Sequence, residues 1–296
     1  MVAKILQLTF GGLTMGSIYA LIALAFSLLF SGLGIINFAT GEFAMVGAYF
    51  GLIALKTLGL PYPIAVPITL AAMFGFGILF GLVLVRPFVK GVALMEKALN
   101  PILMATAAAG ILLTQSANIL ARLPEGERFP SVFGKEAIPL GPIQVIPQNL
   151  WTIALSVVLM VAFFLFLQKT KMGAGMRAIA QDRDTSALMG VQVERLDLWM
   201  CGLSGVLGGA AGILISPLFT VSPAMGGIPG LKGFAAAIVG GFGNIPGAIV
   251  GGFILGALEG YSAAFISEGY KDAIVLLLLI FFLAFRSHGI FGQQKH

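Results

Sequence analysis

Ile64-Ala-Val-Pro-Ile-Thr-Leu-Ala-Ala-Met-Phe-Gly-Phe-Gly-Ile-Leu-Phe-Gly-Leu-Val-Leu-Val85 is a run without a charged residue. As an α-helix at ~1.5 Å per residue it would be about 33 Å long, enough to cross the ~30 Å hydrocarbon layer of a bilayer. The chain is 58% hydrophobic and 10% charged, with mean hydropathy +1.02, whereas an ordinary soluble domain is about 25% charged. Further apolar runs cover Ile18–Phe30, Trp151–Leu167 and Ile274–Phe285. These features predict an integral membrane protein.

The hydropathy pattern predicts an all-α fold of about eight transmembrane helices in a single domain, residues 1–296. The segment 231–243 is too short for an ordinary crossing, because at ~1.5 Å per residue it reaches only about 20 Å. It is therefore expected to be a half-helix or a re-entrant segment. The predicted spans lie near residues 5–33, 36–56, 63–85, 99–121, 150–168, 198–218, 231–243, 247–266 and 272–286.

The loops differ in charge, which predicts the orientation of the chain. Lys and Arg are in excess in loop 86–98, in loop 169–196 and in the tail from residue 286, so these regions are expected in the cytoplasm. The longer, proline-rich loop 122–148 has balanced charges and is expected on the outer side. Counting crossings back from loop 86–98 puts the N-terminus outside, and the basic tail puts the C-terminus in the cytoplasm.

Residue types exclude several functions. Cys201 is the only cysteine, and His288 and His296 both lie in the tail, so neither a metal-site spacing nor a Ser/His/Asp arrangement is present. The chain has no G-x-x-x-x-G-K-[ST] motif for ATP phosphates. The net charge of +5 is scattered over short loops, which does not favour nucleic acid. The chain is expected to be neither an enzyme nor the holder of a cofactor.

Two segments of equal length are similar to each other. Gly41–Gly51 and Gly233–Gly243 share Gly, Ala, Phe and Gly at four matched positions, and the spans that precede them run in opposite predicted directions. Opposite directions for similar segments are typical of an inverted-topology repeat, in which interrupted helices form the transport path. A chance match in a chain rich in Gly and Ala is the alternative.

Polar residues at membrane depth are the candidates for a substrate pathway, because an ionised group there costs several kcal/mol unless it has a function or a partner. The alternative is that Asn37 and Thr40 only cap the end of a half-helix, and that Glu42 and Glu259 only bond neighbouring backbone or helices. Glycines beside such residues permit backbone breaks that expose polar groups. The pathway candidates are Asn37, Thr40, Gly41, Glu42, Lys232, Gly233 and Asn244.

The loop 169–196 contains signals for two short helical turns. Met176–Ala180 and Thr185–Met189 are the turns, with Asp182 or Asp184 as N-cap and Gly190 as the stop. A short amphipathic helix at the membrane surface is the kind of element that docks into a groove of a soluble partner. A plain basic linker is the alternative.

Four motifs together resemble the permease subunits of ABC importers for branched-chain amino acids, and in particular the first permease of the hydrophobic amino acid uptake systems. The resemblance covers nearly the whole chain. The motifs are Gly16-Ser-Ile-Tyr-Ala-Leu-Ile-Ala-Leu24, Gly34-Ile-Ile-Asn-Phe-Ala-Thr-Gly-Glu-Phe43, Ala237-Ile-Val-Gly-Gly-Phe-Gly-Asn-Ile-Pro-Gly-Ala248 and Phe285-Arg-Ser-His-Gly-Ile-Phe-Gly292.

The resemblance implies partners: a second homologous permease subunit, two cytoplasmic ATP-binding subunits that carry ATP and Mg²⁺, and a periplasmic substrate-binding protein. It also implies that a coupling segment contacts the ATPase, at positions Arg177, Asp182, Asp184, Ala187 and Gly190. The family usually has His where this chain has Thr40, which leaves the substrate open.

The sequence therefore predicts a permease that moves small aliphatic amino acids by alternating access. One alternative is a permease of the same family that transports urea, short amides or small organic acids. A second alternative is an ion-coupled secondary transporter, for which Glu42 and Glu259 would form the ion site. A third is an assembly subunit that does not itself transport.

Overall fold

A computed structural model describes residues 2–89, 95–120, 127–130, 138–140, 143–265, 268–285 and 289–292. Two π-helical segments cover Ile53–Thr57 and Gly81–Val85, each continuous with the α-helix before it. The helices are α1 (Val2–Leu33), α2 (Thr40–Leu52), α3 (Tyr62–Phe80), α4 (Arg86–Val89), α5 (Met95–Leu120), α6 (Pro147–Lys169), α7 (Lys171–Gln181), α8 (Arg183–Leu188), α9 (Val193–Ile215), α10 (Gly227–Gly240), α11 (Ile245–Phe265) and α12 (Lys271–Phe285).

Among the described residues, six helices are long and apolar enough to cross a membrane. They are α1, α5, α6, α9, α11 and α3 with its continuation to Phe88. The helices α2, α10 and α12 have 13, 14 and 15 residues. The predicted half-helix 231–243 is present as α10, which begins earlier, at Gly227, and ends at Gly240. The protein is thus an all-α integral membrane protein by its spans, as predicted.

The centre of the fold is α1, in which every residue from Gly16 to Leu29 is buried. It packs mainly against α11, α9 and α10, whereas α9 in turn packs against α2 and α3. The two interior helices α1 and α9 therefore organise the remaining helices around them.

Small residues allow these helices to approach closely. A Cβ added to Gly12 would lie 2.9 Å from the Gly256 carbonyl oxygen, so α1 and α11 touch along their backbones. A Cβ added to Gly212 would overlap the carbonyl group of Ala44, which brings α9 against α2 in the same way. Such backbone contact is typical of helix packing in membranes, where apolar side chains gain little by leaving lipid.

Short strands lie in the predicted loop 122–148 and after α9, and the all-α prediction did not include them. The pair β1 (Glu127–Arg128) and β4 (Thr220–Val221) is antiparallel, as is the pair β2 (Ile138–Leu140) and β3 (Ile143–Val145). We refer to the bundle end that carries them as the strand end. Parts of the loops 86–98 and 122–148 and of the tail, which entered the orientation prediction, lie outside the described residues.

The loop 169–196 forms helices α7 and α8, which confirms the prediction of two short helices there. Thr170 caps α7 by accepting from the Gly173 amide at 2.9 Å, and α7 is longer than predicted. Asp182, not Asp184, caps α8. Gly190 follows with φ of +85°, a conformation that favours glycine and ends the helix. We call this bundle end the α8 end.

Candidate functional site

The helices α2 and α10 begin next to each other. A Cβ at Gly41 would lie 2.7 Å from the Gly226 carbonyl oxygen and 2.9 Å from the Gly230 Cα. Only glycines allow this contact, which we call the glycine junction (Gly41, Gly226 and Gly230). Both helix N-termini carry a partial positive charge, so the junction favours an anionic group nearby.

The glycine junction lies near mid-depth of the bundle. Gly233, in the second turn of α10, packs against Ile22 near the middle of α1. Gly208, past the middle of α9, packs against Phe43 in the first turn of α2. From this level α10 runs towards the α8 end, because Phe242 stacks edge-on against Phe30 with ring centroids 4.6 Å apart. The chain therefore returns to mid-depth twice to start a short helix.

The predicted residues Asn37 and Thr40 shape the turn that leads into α2. Both side chains are buried. The Asn37 side-chain oxygen accepts from the Ala39 amide at 3.0 Å, and the Thr40 hydroxyl donates to the Asn37 carbonyl oxygen at 2.7 Å. The amide of Phe38 donates to the Thr106 hydroxyl on α5 at 3.3 Å. These contacts fit the alternative in which Asn37 and Thr40 have only a structural role.

Glu42 is half-buried on α2 and faces α5, where a Cβ at Gly110 would lie 3.3 Å from its Oε2. Glu259 on α11 has different partners: its Oε1 lies 2.7 Å from the Lys232 Nζ, and its Oε2 accepts from the Tyr19 hydroxyl at 2.6 Å. The two glutamates considered for an ion site therefore belong to separate clusters.

Lys232 is the centre of a charged cluster that joins four helices. Its Nζ lies 2.6 Å from the Asp272 Oδ1 on α12, besides the bond to Glu259 on α11. It also donates to the Tyr19 hydroxyl on α1 at 3.4 Å. The sequence pointed to Lys232 and Glu259 as polar residues at depth, but no spacing signal pointed to Tyr19 or Asp272. We call Tyr19, Lys232, Glu259 and Asp272 the lysine cluster.

Two further predicted pathway residues have structural contacts. Gly233 permits α10 to pack against Ile22 on α1. Asn244 caps α11 by accepting from the Gly247 amide at 3.0 Å, and it donates to the Phe291 carbonyl oxygen at 2.9 Å. Asn244 lies beyond the C-terminal end of α10, at the opposite end of that helix from the glycine junction. The predicted pathway residues are thus distributed over three places.

The predicted coupling residues lie on or beside α8. Asp184, Ala187 and Gly190 are exposed, whereas Arg177 on α7 is half-buried. The hydroxyl and amide of Thr185 donate to Asp182 and hold the pKa of its carboxyl below the ordinary value. The sequence reasoning missed Leu188 and Met189, although apolar side chains next to a predicted helix stop are a signal. They are 88% and 80% exposed, so α8 presents an apolar tip.

An ion pair attaches α8 to the bundle. Arg183 binds both carboxylate oxygens of Asp197 on α9, with Nη1 to Oδ1 at 3.0 Å, and it donates to the Gly32 carbonyl oxygen near the end of α1 at 3.4 Å. The Arg183 and Asp197 side chains are only 14% and 11% exposed. They line a cavity of about 550 Å³ between the π-helical segment Gly81–Val85, α8 and α9. The bidentate geometry fixes the position of α8 relative to two interior helices.

Residues 8–283 match the family described as the permease component of branched-chain amino acid transport systems. The chain belongs to this family. The permease is 30% identical to the high-affinity branched-chain amino acid transport permease protein BraD of Pseudomonas aeruginosa, over 98% of this chain and 96% of that protein.

Two other relatives match the permease over nearly their whole length. The high-affinity branched-chain amino acid transport permease protein LivH of Escherichia coli is 29% identical, over 98% of this chain and 96% of that protein. The probable branched-chain amino acid transport permease protein LivH of Methanocaldococcus jannaschii is 30% identical, over 95% and 91%. These relatives are transport proteins and not enzymes, which supports the prediction that this permease is not an enzyme.

Proposed function

We propose that this permease is the translocation subunit of an ATP-driven importer for small aliphatic amino acids, with branched-chain amino acids as the first candidates. The observation that carries the proposal is the glycine junction, where two half-helices begin at mid-depth. Interrupted helices of this kind form substrate sites in many transporters, because their free backbone groups face a cavity in place of lipid. The names of the relatives support the substrate class.

The helix contacts support an inverted-topology repeat. The first interior helix, α1, packs against α10 and α11 of the second half, while the second interior helix, α9, packs against α2 and α3 of the first half. If α1 corresponds to α9, α2 to α10 and α3 to α11, then each interior helix packs against the same two helices of the opposite half. The helices α1 and α9 run in opposite directions, because Gly32 packs against Met200 whereas the earlier Ala25 carbonyl oxygen accepts from the later Ser204.

Alternating access in this arrangement would open the bundle on one side of the glycine junction at a time. The path itself is mostly apolar, and a separate periplasmic binding protein would supply affinity and deliver the substrate. A second homologous permease would complete the path. The N-terminus would lie in the periplasm and the α8 end in the cytoplasm of a bacterial inner membrane, as the basic residues of loop 169–196 favour.

The apolar tip of α8 is suited to dock on two cytoplasmic ATP-binding subunits. Large exposed apolar side chains grouped on a short, capped helix indicate a protein contact. ATP and Mg²⁺ would be bound by those subunits, and their closure would move α8. Arg183 would transmit the movement to α1 and α9, because it binds both helices.

The test is uptake of radiolabelled leucine into vesicles that contain the complete importer. We expect uptake to require ATP on the side of the membrane that faces the α8 end and the binding protein on the side that faces the strand end. Uptake is also expected to be independent of a proton or sodium gradient. The variant Ala187→Arg, on the exposed face of α8, is expected to abolish uptake while ATP hydrolysis continues. The variant Lys171→Ala, exposed on α7, is the control and is expected to transport normally.

Uptake by this permease alone, driven by an ion gradient without ATP, would refute the importer and favour the secondary transporter. If ATP drives uptake of urea, a short amide or a small organic acid but not of leucine, the importer stands and the substrate class is wrong. Docking is tested by cross-linking from Met189, which is expected to capture an ATP-binding subunit.

A further inference from the structure

A second cavity lies at the strand end and has two chemically different walls. Its volume is about 290 Å³, near the lower limit of the range for small-molecule sites. Segments of α1, α10, α11 and α12 and the chain between α9 and α10 enclose it. The apolar wall includes Met15, Ile215, Met225 and Ile228, and the charged wall includes Lys232, Glu259, Lys271 and Asp272.

The charged wall is neutral overall but presents both signs, with two lysines and two carboxylates. Lys232 donates to Glu259 and to the Tyr19 hydroxyl and forms an ion pair with Asp272, whose Oδ1 has no hydrogen-bond partner in the described structure. A carboxylate can accept about four hydrogen bonds. The Glu259 side chain accepts two in the described structure, from Lys232 and Tyr19. The lysine cluster therefore has spare acceptors for an incoming ammonium group.

The first turn of α10 lies beside the lysine cluster on the same cavity wall. Ile228 and Lys232 are four residues apart and so lie on one face of the helix. In this turn the Gly227 amide donates to the Ala224 carbonyl oxygen at 3.4 Å, and Pro229 has no amide hydrogen. The Ile228 amide is therefore the donor that this turn offers to a carboxylate, a group that a helix N-terminus favours. One wall thus offers acceptors for an ammonium group and, about one helical turn away, a donor for a carboxylate.

We propose that this cavity binds the substrate as a zwitterion. The α-ammonium group binds Glu259 and Asp272, the α-carboxylate faces the first turn of α10, and the aliphatic side chain contacts Met15 and Met225. A neutral zwitterion adds no net charge to a buried neutral wall, whereas a simple ion would leave one charge unpaired at high cost. The site is the outward-facing one, and this inference rests on the proposed function.

A purely structural lysine cluster is the competing explanation, and the cavity argues against it. Lys232 and Glu259 are 5% and 9% exposed, yet Asp272 in the same cluster is 45% exposed and lines the cavity. A structural ion pair needs no open volume beside it. The apolar wall facing the charges matches an amphiphilic ligand, which neither a metal ion nor a second ion pair would use.

The experiment measures binding to the permease complex in lipid nanodiscs, without the binding protein and without ATP. Three probes of similar shape are compared: L-leucine, L-leucinamide, which lacks the carboxylate, and 4-methylpentanoate, which lacks the ammonium group. We expect leucine to bind about ten- to a hundred-fold more tightly than either analogue, because each analogue loses a charge-assisted contact. Equal binding of all three probes would overturn the proposal.

Three variants complete the test. Glu259→Gln is expected to weaken leucine binding about ten-fold or more and to remove the preference over 4-methylpentanoate. Ile228→Trp, which adds bulk at a 59% exposed position on the cavity wall, is expected to block leucine. Glu194→Gln, at an exposed site on α9, is the control and is expected to bind leucine normally.

Unchanged leucine binding in both Glu259→Gln and Ile228→Trp would overturn the proposed site. That outcome together with ATP-driven leucine uptake would leave the importer function intact and refute the site alone. Failure of ATP-driven uptake by the unaltered complex would refute the function itself. The two proposals are therefore tested independently.

Discussion

Removing one partner of the ion pair between Arg183 and Asp197 is expected to destabilise the permease strongly. In the variant Asp197→Asn, the Arg183 guanidinium stays charged in a site where its side chain is only 14% exposed. Deleting one partner of a buried pair costs about 3–5 kcal/mol, because the remaining charge is not compensated. Slight exposure to water places this pair near the lower value, so we expect a loss of about 3 kcal/mol in the free energy of unfolding.

The same cavity contains a matched control. Arg86 and Glu194 also form a salt bridge, with 2.9 Å between Nη2 and Oε2, but their side chains are 43% and 72% exposed. Exposed pairs contribute about 0–1 kcal/mol, because water and salt screen both charges. Glu194→Gln is therefore expected to change the free energy of unfolding by less than about 1 kcal/mol.

Reversible unfolding in mixed micelles, followed by tryptophan fluorescence, measures both variants. A double variant, Arg183→Met with Asp197→Leu, separates stability from coupling. Replacing both charges by apolar groups removes the uncompensated charge and is expected to restore most of the stability. Leucine uptake per ATP hydrolysed is expected to stay low, because α8 has lost its attachment. If Asp197→Asn and Glu194→Gln unfold with equal free energies, the burial argument is wrong.

Two further predictions concern packing and capping. Gly212→Ala is expected to destabilise the permease by about 1–3 kcal/mol, because the added Cβ overlaps the Ala44 carbonyl group. The control Gly75→Ala, with nothing within 4 Å of the added Cβ, is expected to be neutral or slightly stabilising. Equal melting temperatures of the two variants would contradict the close packing at Gly212. The lowered pKa of Asp182 means that the ionised carboxylate stabilises α8. This stabilisation is complete above the ordinary Asp pKa of about 3.9 and is lost as the pH falls through the lower folded-state value. Hydrogen exchange of the α8 amides, corrected for intrinsic rates, is expected to speed up over this pH range in the native protein and not in Asp182→Asn. The same increase on acidification in both proteins would exclude Asp182 as its origin.

Local features were predictable from the sequence because their causes lie within a few residues. The cap at Asp182 and the stop at Gly190 depend on neighbouring backbone groups and were both found. The shortness of α10 follows from the length of its apolar run. The strand pair β1–β4 was missed because its two members are far apart in the chain and each has only two residues.

The lysine cluster shows why the candidate sites could be predicted only in part. Tyr19 and Glu259 are 240 residues apart, yet they share a hydrogen bond of 2.6 Å. Lys232 and Glu259 could be selected singly, because a charge at membrane depth needs a partner. The identity of that partner depends on which helices become neighbours, and neither hydropathy nor the abundance of glycine specifies those neighbours.

The helix α1 connects the two charged sites of the bundle. Near its C-terminus, the Gly32 carbonyl oxygen accepts from Arg183, which ties it to α8. Near its middle, Tyr19 donates to Glu259 in the lysine cluster. Every residue of α1 between Tyr19 and Leu29 is buried in close packing, so this part of the helix cannot bend without disturbing its neighbours. In the proposed importer, a displacement of α8 that shifts α1 along its axis relative to α11 would also change the distance from Tyr19 to Glu259, and would thus carry the movement of α8 to the lysine cluster.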